Sequence, residues 1–409
     1  MGVTKSKESL GKVYWLSWLV YTCAYIGRYN FSAAVAGIVA DGLFNKSEMG
    51  IVGTVFFFVY GSGQLINGFM GDRLSPFKMI FVGSFVSAIA NFLMCFSTSL
   101  PMMILVWGIN GFAQSMLWSP IIYLVSNTYT GEELKRAQAQ LPATLPVGSL
   151  TAYLLSMFLM KYFSWKYIFI AAGLFLFIVS IIWGSFSLSL GKEGRIIRNP
   201  VIKQKDGKNT SVSSLLTASG VIIMFIPIML HATLKDGVMT WVPTMISELF
   251  DVTPSFSVML SLILPIINFF GARIASGMHS SGRFNEVKIA CCFFAFSFIP
   301  LISLMFISKL NAVFSVVLLA LITSSMVAIN HVFLTLVPVS FVSRGRSATM
   351  AGMIDAVAYG GSAVSSYGFG AIAENIGWNN TITVWLIISV IALVFCLLCV
   401  RRWENFKKN

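Results

Sequence analysis

Arg28 and Lys235 each lie inside a long apolar stretch. Within a membrane helix, a charge costs at least about 2.5 to 3.5 kcal/mol on insertion scales, so it is normally functional or paired. Arginine presents a planar fork that grips a phosphate or carboxylate at two points, and lysine adds a compact second charge, so the two together suit a dianion. Tyr21, Tyr25 and Arg28 follow i, i+4, i+7 spacing. That spacing puts two phenol hydroxyls and a guanidinium on one helix face, which can hold an oxyanion. The structural alternative for Arg28 is an ion pair with Asp355, or snorkelling toward a surface. Lys235 stands next to Asp236. Neighbouring helix positions point about 100° apart, so the two need not neutralise each other, and one can face a cavity while the other faces the bundle. His231, one turn before Lys235, is a further candidate for the same site, and helix packing accounts for it equally well; His331 is similar. Asp355, in a helix rich in glycine (Gly352, Gly360, Gly361), is a candidate proton carrier or a counter-ion to either cation.

The elements that must position these groups follow from composition. Of 409 residues, 57% are hydrophobic and 11% charged, with a mean hydropathy of +0.82; a soluble chain carries about 25% charged residues. Apolar runs of roughly 20 residues, the length that crosses a hydrocarbon core, recur along the whole sequence and leave no room for a soluble domain. They predict helices near 13–36, 48–70, 77–97, 101–126, 138–160, 166–190, 215–246, 255–278, 285–307, 311–337, 346–372 and 379–400. The first run is too long for a signal peptide and lacks its small-residue cleavage site, so it counts as the first helix. The expected fold is an all-α membrane protein of twelve transmembrane helices in two pseudo-symmetric six-helix bundles, 1–190 and 214–409. The basic stretch 191–213, with Lys192, Arg195, Arg198, Lys203, Lys205 and Lys208, forms a solvated linker between them. Arg28 and Lys235 are separated by about half the chain and so hold corresponding places in the two repeats, whose junction near the midplane is where such folds bind substrate.

A net charge of +13 raises the question of nucleic acid. Its placement answers otherwise. With a cytoplasmic N-terminus, only Lys46, Lys161, Lys166 and Lys309 fall outside, Arg28, Lys235 and Arg273 lie within helices, and all other Lys and Arg are cytoplasmic. This is the positive-inside bias of a multi-pass protein of the inner (plasma) membrane with both termini cytoplasmic. The six cysteines all sit in apolar stretches and imply no disulfide framework. The C-x-x-C pair Cys396 and Cys399 is expected on a lipid-facing helix rather than in a metal or redox site. No metal, cofactor, catalytic residue or nucleic-acid partner is expected, because no Ser/His/Asp, metal-ligand or phosphate-loop constellation stands outside the membrane.

The connection GFMGDRLSPFK, with Gly68, Gly71, Asp72 and Arg73, resembles the major facilitator gating loop, in which small residues let helices approach and the acid and arginine form a charge relay. Its counterpart GARIASGMHSSGR keeps Gly277 and Arg283 but has Ser281 where an acid is expected. Four segments, YIGRYNFS, YGSGQLINGFMGDRLSP, GINGFAQSMLWSP and LKDGVMTWVPT, resemble the organophosphate:phosphate antiporter family of the major facilitator fold, and the likeness spans nearly the whole chain. The resemblance implies that Arg28 and Lys235 are paired cations holding phosphate, with Tyr21, Tyr25 and Tyr60 around it. It also implies exchange of a phosphate ester for inorganic phosphate by a monomer in the lipid bilayer. Gln64 stands where family members carry a lysine, Thr240 where they carry an acid, and Leu145 or Thr144 at a histidine position within LPATLP, so the transport class carries over better than the substrate. The alternatives are a proton-coupled carboxylate symporter, for which Asp355 or Asp236 would titrate, and a membrane sensor of phosphate esters.

The topology is testable by labelling. A cysteine substituted at Lys205 is expected to stay unreactive toward a membrane-impermeant thiol reagent in intact cells and to react after permeabilisation; reaction in intact cells reverses the orientation.

Overall fold

The computed structural model describes residues 2–71, 74–129, 131–192, 212–307, 311–341, 344 and 346–408. Among these the chain is helical with short connections and no strand. Twelve helical passes follow one another: α1 (Gly2–Ala40), α2 (Lys46–Gly71), α3 (Pro76–Phe96), α4 (Leu100–Thr128), α5 (Gly131–Tyr162), α6 (Trp165–Lys192), α7 (Val221–Leu249), α8 (Pro254–Ser280), α9 (Glu286–Ile307), α10 (Ala312–Val339), α11 (Ser347–Ile376) and α12 (Trp378–Lys408). Ten of them are long and apolar enough to cross a membrane; α1 and α11, which carry more small and polar residues, complete the set. The expected linker falls largely outside the described residues, which resume with a short helix, Val212–Ser219, leading into α7.

Local chemistry sets the helix ends and breaks. Pro76 and Pro254 occupy first-turn positions, where the missing N–H costs nothing. Thr253 Oγ1 and Asn311 Oδ1 accept the backbone N–H of Phe256 and Phe314, filling donors that a helix start leaves open. Prolines inside the passes interrupt them. Pro142 lies in a 3₁₀ turn, Leu141–Ala143, within α5, and a π turn, Val332–Leu336, precedes Pro338 in α10, because proline removes one intrahelical hydrogen bond and crowds the preceding turn. Gly377, at φ +83°, is the single residue between α11 and α12, a backbone conformation that only glycine adopts without strain.

Two sequence expectations change on inspection of the packing. Cys396 and Cys399 are fully buried rather than lipid-facing: their i, i+3 spacing turns both toward the bundle, where the Cys396 thiol meets Val287 O of α9 at 3.6 Å. The acid missing at Ser281 is supplied nearby by Glu286 at the start of α9. Its buried carboxylate accepts from Trp403 Nε1 (2.8 Å) and Lys407 Nζ (2.7 Å) of α12 and faces His279 Nε2 at 3.1 Å. Of the expected gating motif, Gly68 and Gly71 fall near the end of α2, whereas Asp72 and Arg73 lie outside the described residues.

The two sets, α1–α6 and α7–α12, meet tightly at one end and part at the other. At the closed end Lys46 Nζ reaches Glu248 (2.9 Å) and Glu374 (3.3 Å), and Trp378 Nε1 donates to Glu248 at 2.7 Å. Thr54 Oγ1 donates to Ala363 O (2.7 Å), Ser255 Oγ to Met157 O (2.7 Å) and Ser32 Oγ to Met239 O (2.8 Å). The α2–α11 seam depends on Gly50: a Cβ there would stand 2.7 Å from Ser366 O and 2.9 Å from Tyr367 Cα, both rigid backbone atoms. Gly50→Leu is therefore expected to hold this seam apart. A Ser366→Cys probe, buried in the parent, should become reactive toward thiol reagents in the Gly50→Leu background, in protein that still inserts and elutes as a single species. Unchanged protection would mean that α2 and α11 close by another contact.

Candidate functional site

Between the two halves lies a cavity of about 950 Å³, lined from α1, α2, α4, α5, α7, α8, α10 and α11 and open toward the end opposite the Lys46 contacts. Tyr21, Tyr25, Arg28, Tyr60, Gln64, Lys235 and Asp355 all line it.

A buried amide network positions Arg28. Gln114 of α4 gives its Nε2 to Ala24 O (3.1 Å) and Gly27 O (3.2 Å) of α1. With its side chain fixed in this way, Gln114 Oε1 accepts from Arg28 Nε at 3.0 Å. Asn110 Nδ2 also donates to Gly27 O (3.1 Å), and Asn30 Nδ2 donates to Asn91 Oδ1 (2.7 Å), so α1, α3 and α4 are joined by polar groups that lipid-like surroundings would otherwise penalise. The guanidinium carbon lies 4.3 Å from the ring centre of Tyr60, 5.2 Å from that of Tyr25 and 5.4 Å from that of Phe56. Aromatic faces attract a cation through their quadrupole without neutralising it. Tyr21 packs edge-on against Tyr25 at 4.9 Å, and Gln64 Nε2 donates to Tyr60 OH at 2.8 Å. Among the described residues Arg28 has no ion pair with Asp355, which itself makes no hydrogen bond or ion pair.

Across the cavity Lys235 Nζ donates to Asn330 Oδ1 of α10 at 3.1 Å and lies 3.4 Å from Asp236 Oδ1. Adjacent positions on one helix thus do meet here, because the long lysine side chain folds back. Asp236 is otherwise occupied: Ser362 of α11 donates to its other oxygen. Lys235 is consequently a partly compensated cation and Arg28 an uncompensated one. His231 does not line the cavity. It is buried, with Nε2 3.3 Å from Asn330 Oδ1 and its ring edge-on to Phe333, so it reaches the site only through Asn330. Thr240 spends its hydroxyl on Asp236 O of its own helix.

The sequence reading did not single out Asn330, Tyr359 or Gln114 as positioning groups. The Tyr359 ring lies tilted against that of Tyr60, with the ring centres 4.6 Å apart. For Gln114 and Asn330 there is a common signal, an amide in the middle of a strongly apolar helix, where an unpartnered amide costs several kcal/mol.

Two sets of membrane helices, held together at one end and enclosing a cavity with a cation on either wall, give the architecture of a membrane transport protein. The chain belongs to the Major Facilitator Superfamily, which it matches over residues 17–366. It is 30% identical over 122 residues to a probable hexose phosphate transport protein of Chlamydia trachomatis, covering 30% of this chain and 27% of that protein. It is 26% identical over 167 residues to the glycerol-3-phosphate transporter of Bacillus subtilis, covering 40% and 37%. With the membrane sensor protein UhpC of Escherichia coli it shares 35% over 97 residues, covering 24% and 22%. The chain thus spans well under half the length of these curated relatives. In fold it is similar to a bacterial homolog of the human lysosomal transporter Spinster in an inward-facing, unoccupied conformation (TM-score 0.79, 13% identity, 97% of this chain and 98% of that one). The nucleoside transporter NupG gives a TM-score of 0.69 at 16% identity, covering 96% and 99%.

Arg28→Lys keeps the charge but loses the fork and the Nε contact to Gln114. It is expected to weaken binding of inorganic phosphate to purified protein by roughly tenfold to a hundredfold, the worth of one charge-assisted contact, while the chain still inserts. Unchanged affinity would make Arg28 a structural residue.

Proposed function

We propose that this protein exchanges a phosphate ester for inorganic phosphate across the membrane, using Arg28 and Lys235 as the paired anion ligands. The single observation that carries this reading is that Arg28, deep in the bundle, is held by a neutral amide and three aromatic rings rather than by a carboxylate. Its positive charge is thereby left for an anion. The similarity to hexose phosphate and glycerol-3-phosphate transporters supports a phosphate ester. The positive-inside bias assigns the open end to the cytoplasm, so the cavity receives substrate from inside in this conformation.

Exchange follows from the charges. Closing an empty cavity brings the two cations together; as bare unit charges at about 6 Å and an effective dielectric constant of about 20 they would repel by about 3 kcal/mol, an upper bound because Asp236 already offsets part of the Lys235 charge. A bound dianion removes that penalty, so the loaded carrier turns over and the empty one waits. A second reading, proton-coupled carboxylate symport, is favoured by one observation: Asp355 faces the cavity with no hydrogen-bond or ion-pair partner among the described residues, as a group that must take up and release protons requires.

Proteoliposomes separate the two. Uptake of a labelled phosphate ester is expected to need phosphate inside and to ignore an imposed proton gradient. Uptake indifferent to internal phosphate but driven by the gradient moves the assignment to symport, with Asp355 as the residue to mutate. Binding without any uptake would assign the protein to sensing instead.

A further inference from the structure

A third cation lies on the cavity wall. Arg273 of α8 lines the cavity, exposed to it, with its guanidinium carbon 4.7 Å from the ring centre of Phe269 and no carboxylate partner among the described residues. α8 is a membrane-spanning helix, and an uncompensated arginine there carries the same insertion cost as Arg28. Ser276, one turn on, and His331 of α10 lie beside it on the same wall, Ser276 Oγ 2.8 Å from His331 Nε2. These two supply a hydroxyl and an imidazole beside the fork.

The depth of Arg273 follows from contacts around Met239. Ser32 Oγ donates to Met239 O at 2.8 Å, and Asn268 Nδ2 lies 3.9 Å from Met239 Sδ, so Ser32, Met239 and Asn268 share one level. Arg28 and Lys235 each stand four residues from that level toward the open end and Arg273 five, or about 6 Å and about 7.5 Å along the helix axes. The three cations therefore form one tier, Arg28 on the N-terminal half and Lys235 and Arg273 on the C-terminal half. Two acids must be set against them. Asp236 is engaged by Lys235 and Ser362. Asp355 lies one to two turns, about 6 to 10 Å, nearer the open end, as measured along α11 from Tyr359 and Ser362. With Asp236 counted against the three cations, one phosphate dianion balances the tier, and the case for a further anion rests on where Arg273 sits: on the cavity wall with a hydroxyl and an imidazole beside it and no carboxylate partner among the described residues.

We infer that Arg273, with Ser276 and His331, is a second anion subsite, and that the substrate is a phosphate ester bearing a second anionic group, which Arg273 grips while Arg28 and Lys235 hold the phosphate. This rests on the phosphate-exchange reading for its first anchor and adds the second. An arginine fork suits a carboxylate or a second phosphoryl group equally, through paired hydrogen bonds.

The matched probes are glycerol 3-phosphate and 3-phosphoglycerate, which differ by a hydroxymethyl against a carboxylate. Equilibrium binding to purified full-length protein is expected to favour 3-phosphoglycerate by at least about tenfold, and Arg273→Ala to abolish that preference while leaving inorganic phosphate and glycerol 3-phosphate within about twofold of wild type. Arg273→Lys should recover only part of the preference, since the fork is lost. Equal binding of the two probes by wild type, or an Arg273→Ala loss shared equally by all three ligands, overturns the subsite. Exchange is measured separately in proteoliposomes: if 3-phosphoglycerate binds preferentially through Arg273 yet internal phosphate is not required for its uptake, the exchange reading fails and the subsite stands.

Discussion

The cost of keeping a guanidinium charged at membrane depth governs the N-terminal half. A neighbouring carboxylate would meet that cost most simply, but it would also cancel the charge, and a desolvated pair is hard to part once formed. This chain meets it with neutral groups instead. Gln114 accepts one N–H, three aromatic rings lie against the guanidinium, and Arg28 lines the cavity. Gln114 can serve only because its own amide is fixed on α1 carbonyls. The buried amides at Asn30, Asn91 and Asn110 hold α1 against α3 and α4 in the register that fixation needs. The packing of half the bundle and the electrostatics of the site are in this sense one arrangement.

The seam at the closed end is built to come apart. Its charged contacts, Lys46 with Glu248 and Glu374, are partly solvated, and such pairs contribute about 0 to 1 kcal/mol each. Other links across the halves are hydroxyl-to-carbonyl hydrogen bonds and backbone N–H groups of Lys46 and Tyr367 given to Glu374 and Thr54, and water can replace them at little net cost once the seam parts. What makes the seam tight is shape, through close backbone approach at Gly50 and at Gly370, where a Cβ would meet Lys46 O at 2.6 Å. Contact that depends on small residues gives a closed state without deep interlocking side chains, and so allows an alternate one.

The passes were legible in the sequence because length and apolarity are local properties, and the predicted spans agree with the helices within a few residues over most of the chain. The departures have local causes. α1 and α12 extend beyond their apolar runs through polar turns at Lys5–Gly11 and Arg401–Lys408, because a helix does not end where lipid does. Arg28 and Lys235 were legible because charge is rare in such stretches. Which way each side chain faces was not legible: these helices are apolar nearly all round, so periodicity names no inward face. Cys396 and Cys399 were consequently placed toward lipid, and His231 was grouped with the cavity. The positioning roles of Gln114 and Asn330 were not legible because they depend on partners 86 and 95 residues away.

The two halves hold their cations differently, and the difference links the site to the seam. Lys235 shares Asp236 with Ser362, which lies on α11. An anion that takes Lys235 competes with Asp236, whose remaining anchor is then the α11 hydroxyl. The next turns of the same helix, at Ala363, Ser366 and Tyr367, form the seam with Thr54 and Gly50 of α2. α11 is rich in small residues and runs unbroken from the cavity to Ile376, so it connects the two places through one continuous helix. Any displacement of α11 that opens the seam carries Ser362 with it and changes what holds Asp236, and with it how much of the Lys235 charge is free. On the proposed anion-binding reading, affinity at the C-terminal wall and closure at the far end are thereby linked through one helix, whereas Arg28 is held by an amide network that does not involve α11.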